Sequence, residues 1–128
     1  MDAPPLTRTP DPPYTAVVFT SLRQEDDRGY ATMLARMVEL VVQQPGYLGH
    51  DAVRDERRGI NVSYWVDAEA AAAWKQVAEH LVAQECGRAT WYSDYTVRVA
   101  TVDRDYTLAD GAARSVIDET PPNPRGRV

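Results

Sequence analysis

The chain is poor in sulfur and in long apolar runs. One cysteine, Cys86, stands among 128 residues. A single thiol excludes an internal disulfide and any cysteine-cluster metal site. It points to a reducing compartment, so the expected location is cytoplasmic. Cys86 falls at the end of an expected helix, where the dipole disfavours the thiolate, and it does not read as a nucleophile. No apolar run reaches the roughly 18–20 residues that span a bilayer. The opening MDAPPLTRTPDPP lacks the apolar core of a secretory signal. No membrane association is expected. Basic residues are the minority, 14 Lys and Arg against 19 Asp and Glu, for a net charge of −5. That balance argues against a nucleic-acid or anionic-lipid partner. The sequence holds no glycine-rich phosphate loop, no dinucleotide fingerprint and no His/Asp/Glu set at metal-ligand spacing. Nicotinamide, flavin and metal cofactors therefore have no support. Phenylalanine is reduced to one residue, but three Trp and seven Tyr take its place. Such aromatics stack and hydrogen bond at once.

What is present fits one small domain. Residues 1–13 hold five prolines and read as an extended, poorly ordered arm. Residues 14–106 carry the periodic segments, and residues 107–128 read as an irregular tail with a short helical piece near Leu108 to Ile117. Tyr14 to Leu22 suits a first strand. From about Asp26 to Gln43 the apolar residues recur at three and four, which predicts an amphipathic helix with acids in its first turn. Pro45-Gly46 stops it. Tyr47 to Arg54 suits a second strand, and Asp55 to Gly59 a hairpin turn. Ile60 to Val66 alternates as a third strand. Asp67 then offers an N-cap to a helix closed by Gly87. Thr90 to Val102 alternates as a fourth strand. Along it Trp91, Ser93, Tyr95, Val97 and Val99 share one face, and Tyr92, Asp94, Thr96, Arg98 and Ala100 the other.

The order β-α-β-β-α-β predicts an α+β, ferredoxin-like fold with a four-stranded antiparallel sheet and both helices on one face. The strands lack a face suited to water. A second copy covering the open face is the simplest answer, so a homodimer is expected.

Three segments then carry a resemblance: VSYW-x-D-x-E-A-x-x-x-W-K-x-x-x-E-H (Val62 to His80), GR-x-x-WY-x-x-Y (Gly87 to Tyr95) and PGYLG (Pro45 to Gly49). Over about Tyr14 to Tyr106 the sequence resembles antibiotic biosynthesis monooxygenase domain proteins. The resemblance implies a dimeric α+β barrel. It also implies a possible cofactor-independent oxygenation of an electron-rich aromatic or polyketide-like molecule by O₂. The same superfamily includes haem-degrading enzymes, isomerases and members with no known reaction.

In members that oxidise a polycyclic anthrone, an Asn and a Trp four apart on this strand line the pocket. The resemblance therefore points to Asn61 and Trp65. Four residues are two pleats, so both side chains share a face at a backbone separation of ~13 Å. The amide can hold a phenol or enolate oxygen, and the indole offers a stacking surface and a donor. A core Trp65 and a strand-end Asn61 are the structural alternatives. His80 is the candidate general base, though a helix-surface histidine fits the same position. Ser63, Trp74, Arg88 and Tyr95 complete a candidate substrate-binding set, with ordinary sheet packing as the alternative for the tyrosine. The helix tyrosine of those oxygenases is missing, because Ala70 to Ala73 fills its place, and their later arginine is matched only loosely by Arg88. In haem-degrading relatives a helix Trp resembling Trp74 distorts the porphyrin and a later His ligates iron. Here the spacing to His80 is shorter, and Thr20-Ser21 replaces an Asn. No cofactor is expected, with haem the alternative. His50 reads as a half-buried structural residue. Arg98 reads as one half of an ion pair across the dimer. A ligand-binding or stress-related dimer without turnover is the competing function. In it Trp65 and Trp74 would pack solid.

Overall fold

Four runs rich in Val, Thr and Tyr lie side by side as one antiparallel sheet in the order β2-β3-β1-β4. The computed structural model describes residues 5–26, 28–86 and 91–109. In chain order the elements are β1 (Tyr14–Arg23), α1 (Tyr30–Val41), β2 (Tyr47–Arg54), β3 (Arg58–Trp65), α2 (Ala68–Cys86) and β4 (Tyr92–Val102). This is the ferredoxin-like βαββαβ arrangement that the sequence predicts.

Register sorts the side chains onto two faces. Thr15 pairs with Trp65, Val17 with Ser63 and Phe19 with Asn61. On the other side of β1, Val17 pairs with Val99 and Phe19 with Val97. The Trp65 face is the one the helices cover, because Trp65 packs with Val41 of α1 and Ala71 of α2, flanked by Val17, Tyr47, Ala70 and Trp74. A second cluster joins Met33 of α1, Leu81 of α2 and Trp91, with Tyr30, Met37, Leu40 and Val82 against it. Trp65 has no exposed surface. Burying a side chain of that size contributes roughly 4–6 kcal/mol of transfer free energy, before entropy is subtracted.

Local chemistry sets the ends of the elements. The Asp67 carboxylate accepts the Ala70 N–H at 2.8 Å, the expected N-cap of α2. Asp55 accepts the N–H groups of Arg57 at 3.1 Å and Arg58 at 2.8 Å and closes the hairpin. Gly46 has φ 83°, and a Cβ there would stand 2.6 Å from the Ala70 Cβ, so glycine lets α2 settle onto this turn.

Three expectations are corrected. Helix α1 begins at Tyr30 rather than Asp26, with no acid in its first turn. Gly29 sits in the left-handed region at φ 85° and interrupts the chain just before it, while Asp26 turns to the Arg28 guanidinium at 3.0 Å. Second, the register shifts between Leu22 and Arg23, which face Asp94 and Tyr92 and leave Ser93 as an extra residue. This bulge breaks the alternation. Tyr92 packs on Phe19 and on Tyr95, at 5.4 and 5.8 Å between centroids, so it joins the helix-covered face. Third, the N-terminal arm is fastened at Thr7. Thr7 Oγ1 donates to the His50 carbonyl at 2.7 Å, and its N–H donates to Asp51 at 3.0 Å. The proposed helix closure at Gly87 and most of the proposed C-terminal helical piece lie outside the described residues.

The open face carries Tyr14, Ala16, Val18 and Thr20 of β1 beside Ile60, Val62 and Tyr64 of β3. Tyr14 and Tyr64 meet edge to face at 5.9 Å. Beyond them the face is uncovered and mixed, with Ile60 43% and Val53 72% exposed in the single chain and Asp51 and Asp94 on the same side. Arg98, expected in an ion pair, is exposed there.

Candidate functional site

Trp65 and Asn61 share the helix-covered face of β3, as their spacing requires, but their surroundings differ. Trp65 stacks on Trp74 of α2, with centroids 6.4 Å apart and planes 22° from parallel. Tyr47 meets it edge-on at 5.5 Å. Its indole N–H donates to Ser63 Oγ at 2.9 Å. The structure thus brings Trp65, Ser63 and Trp74 together as one packed unit. Asn61 is half-buried two pleats away, between Phe19 of β1 and Ala52 of β2.

Around Phe19 lies an aromatic group that strict alternation hides. Tyr92 stands edge-on to it, and Tyr95 is tilted against it at 5.4 Å. Tyr95 is 57% exposed and opens the group to solvent. Tyr95 also lies in electrostatic range of Lys75 on α2, whose charge is held mainly by its bond to Glu79. Tyr30, at the start of α1, meets Tyr92 edge-on at 5.9 Å. Arg23 and Arg54 place their guanidinium carbons 5.0 and 5.3 Å from the Tyr30 ring centre. Arg54 also donates to the Tyr30 hydroxyl at 2.9 Å. Burial, and then a hydrogen bond to Tyr30, raise the Tyr92 pKa, against a smaller pull from Arg54 and Arg23. Both effects hold the Tyr92 phenol in its protonated form.

A pocket of about 80 Å³ opens beside this group, lined by Tyr30, Met33, Leu34, Met37, Val82, Trp91 and Tyr92. Trp91 is fixed at its foot by donating its N–H to the Arg28 carbonyl at 2.8 Å. The sequence reading missed Phe19, Tyr30, Arg54 and Tyr92 as site residues. Tyr30 looked like one more member of an apolar stripe, and only the bulge brings Tyr92 to this face.

The histidines stand apart from this group. His80 is exposed on α2 and makes no hydrogen bond among the described residues. His50 is half-buried, and its Nδ1 hydrogen bonds with the Tyr47 hydroxyl. Arg88 lies outside the described residues. No group of three potential metal ligands occurs among the described residues. Nor is any described helix long and apolar enough to cross a membrane. Among the described residues, the arrangement does not fit a haem. Trp74 has its face against Trp65, His80 points to no enclosed space, and the pocket is far smaller than a macrocycle.

A four-stranded antiparallel sheet with two helices on one face defines a ferredoxin-like α+β domain. The sequence family described as antibiotic biosynthesis monooxygenase matches residues 13–85, and the chain belongs to that family. It is 50% identical over 100 residues to the uncharacterized protein YqjZ of Bacillus subtilis, covering 77% of this chain and 88% of that protein. Among solved structures it resembles SnoaB, a cofactor-independent oxygenase from Streptomyces nogalater. That match has TM-score 0.53 at 14% identity and covers 76% of this chain and 98% of SnoaB. It also resembles a variant of MhuD carrying two manganese protoporphyrin IX per active site. There the TM-score is 0.55 at 18% identity, over 74% of this chain and 99% of that one. At these identities the structural matches speak for the fold alone.

Proposed function

We propose that this protein is a cofactor-independent monooxygenase acting on an electron-rich aromatic molecule bound on the helix-covered side of the sheet. The observation that carries the reading is the half-buried Asn61 paired with Phe19, whose ring packs in turn on Tyr92 and Tyr95. An amide there can donate to a phenolate or enolate oxygen while the rings stack against the substrate. The family, and the likeness to an oxygenase that needs no cofactor, support it.

In this mechanism the bound phenol loses a proton to water, which can pass it to the exposed His80. Asn61 stabilises the resulting oxyanion. The anion passes one electron to O₂, and the radical pair recombines at carbon. Loss of water from the hydroperoxide converts a CH₂ to a C=O, so one oxygen atom enters the product and the other leaves as water. Tyr95 and Trp74 act as ring contacts, and Trp65 and Ser63 hold the wall behind them. We place the protein in the cytoplasm, on its single cysteine. We assign it a homodimer, on the exposed apolar residues Val53 and Ile60 of the open face. The test is oxygen uptake with anthrone- and quinol-like phenols.

A second reading is a small-molecule-binding dimer without turnover. The solid Trp65–Trp74 stack and the small pocket favour it. It predicts binding with no oxygen uptake from any phenol of the panel.

A further inference from the structure

The pocket of about 80 Å³ is small for the polycyclic substrates its fold suggests. Pockets for drug-sized ligands run to ~300–1,000 Å³. It lies nearer the ~150 Å³ cavity that takes a single benzene ring, and Met33 and Met37 are flexible enough to widen it.

Its chemistry is two-sided. Met33, Met37, Val82 and Trp91 make an apolar floor. Tyr30 and Tyr92 line one side, and there the two guanidinium groups gather. The two arginines differ. Arg23 is buried and donates to the carbonyls of Asp55 and Glu56. Arg54 is exposed, and its one hydrogen bond is to the Tyr30 hydroxyl. It pairs with no carboxylate among the described residues. A guanidinium carries five N–H donors, so Arg54 keeps most of them for another acceptor. Asp55, the acid of the adjoining hairpin, has its carboxylate turned to the Arg57 and Arg58 N–H groups. In a chain of net charge −5, this sets a cation against Tyr30, a lining residue of the apolar pocket that Arg54 does not itself line.

We propose that this pocket binds a single-ring organic carboxylate. The ring lies among Met33, Met37 and Trp91, and the carboxylate is held by Arg54 and the Tyr30 hydroxyl. Planar carboxylates match the guanidinium fork in a way that neutral amides do not. The proposal goes beyond the oxygenase reading, because it requires binding alone and stands whether or not the ligand is turned over.

The probes are benzoate and its neutral counterpart benzamide. Each is titrated anaerobically by calorimetry into the full-length native protein, Arg54→Gln and Leu34→Trp. Circular dichroism confirms that both variants stay folded. Benzoate should bind saturably, and at least about tenfold more tightly than benzamide, the size of one charge-assisted hydrogen bond. Arg54→Gln should erase that preference while keeping benzamide binding. Leu34→Trp, which fills the pocket, should abolish both. Equal binding of the two probes, no benzoate binding, or a preference that survives Arg54→Gln would overturn the proposal. Oxygen uptake with neutral phenols, unchanged by Arg54→Gln, would leave the oxygenase reading standing independently.

Discussion

Trp65 lies almost flat against Trp74, and this stack, with Ala70 and Ala71, joins β3 to α2. The partners explain the buried indole. Its faces are covered by Trp74 and the Ala70–Ala71 turn, and its N–H is satisfied by Ser63. The alanine run of α2 lets the helix approach closely here. Trp65→Ala removes a wholly buried side chain and should cost ~3–5 kcal/mol, with Trp65→Phe costing less. Urea unfolding measures both.

The start of α2 depends on one carboxylate. Asp67→Ala should destabilise the domain by ~0.5–2 kcal/mol, while Asp67→Asn should keep most of the bond to the Ala70 N–H. Thermal unfolding of the pair separates the cap from the charge.

Gly46 carries a different constraint. Gly46→Ala places a Cβ 2.6 Å from the Ala70 Cβ, at a φ of 83°. Strain and collision act together, and a loss of ~1–3 kcal/mol is expected. Gly59→Ala serves as the control, because its nearest contact is the Ser21 Oγ at 3.4 Å and its φ is ordinary.

Stability should fall in strong base. Burial, and then the hydrogen bond to Asp51, raise the Tyr64 pKa to about 12, and Tyr92 moves the same way. A phenol whose pKa is higher in the folded state favours folding while it stays protonated. That contribution is complete below the unfolded value of ~10 and is lost as pH rises toward 12. Denaturant midpoints should be flat up to about pH 10 and then decline. The double variant Tyr64→Phe, Tyr92→Phe should flatten the decline.

Much of the fold was legible because two periodicities are clean. Tyr47 to Arg54 reads as a strand whose observed bounds are the same, and Asp67 marks a helix start that the structure repeats. The candidate site was legible only in part. The shared face of Asn61, Ser63 and Trp65 follows from a period of two. The neighbours across the sheet do not, since register and the bulge at Ser93 are tertiary facts. Alternation therefore put Tyr92 on the wrong face. The start of α1 was misplaced because the acids after Arg23 looked like a first turn, while Gly29 held the deciding conformation. Whether Trp65 lines a cleft or fills a core depended on what α2 placed against it. No spacing within β3 encodes that.

The central claim is that Asn61 and its aromatic neighbours support oxygenation without a cofactor. The direct measurement is oxygen consumption by metal-free, haem-free protein with an anthrone-like phenol, in the native chain and in Asn61→Ala. The account predicts one O₂ consumed per substrate oxidised, with the rate lowered by ~10²-fold or more in the variant, the scale of losing one oxyanion donor. Native protein that binds the phenol but consumes no oxygen, or an unchanged rate in Asn61→Ala, would contradict it.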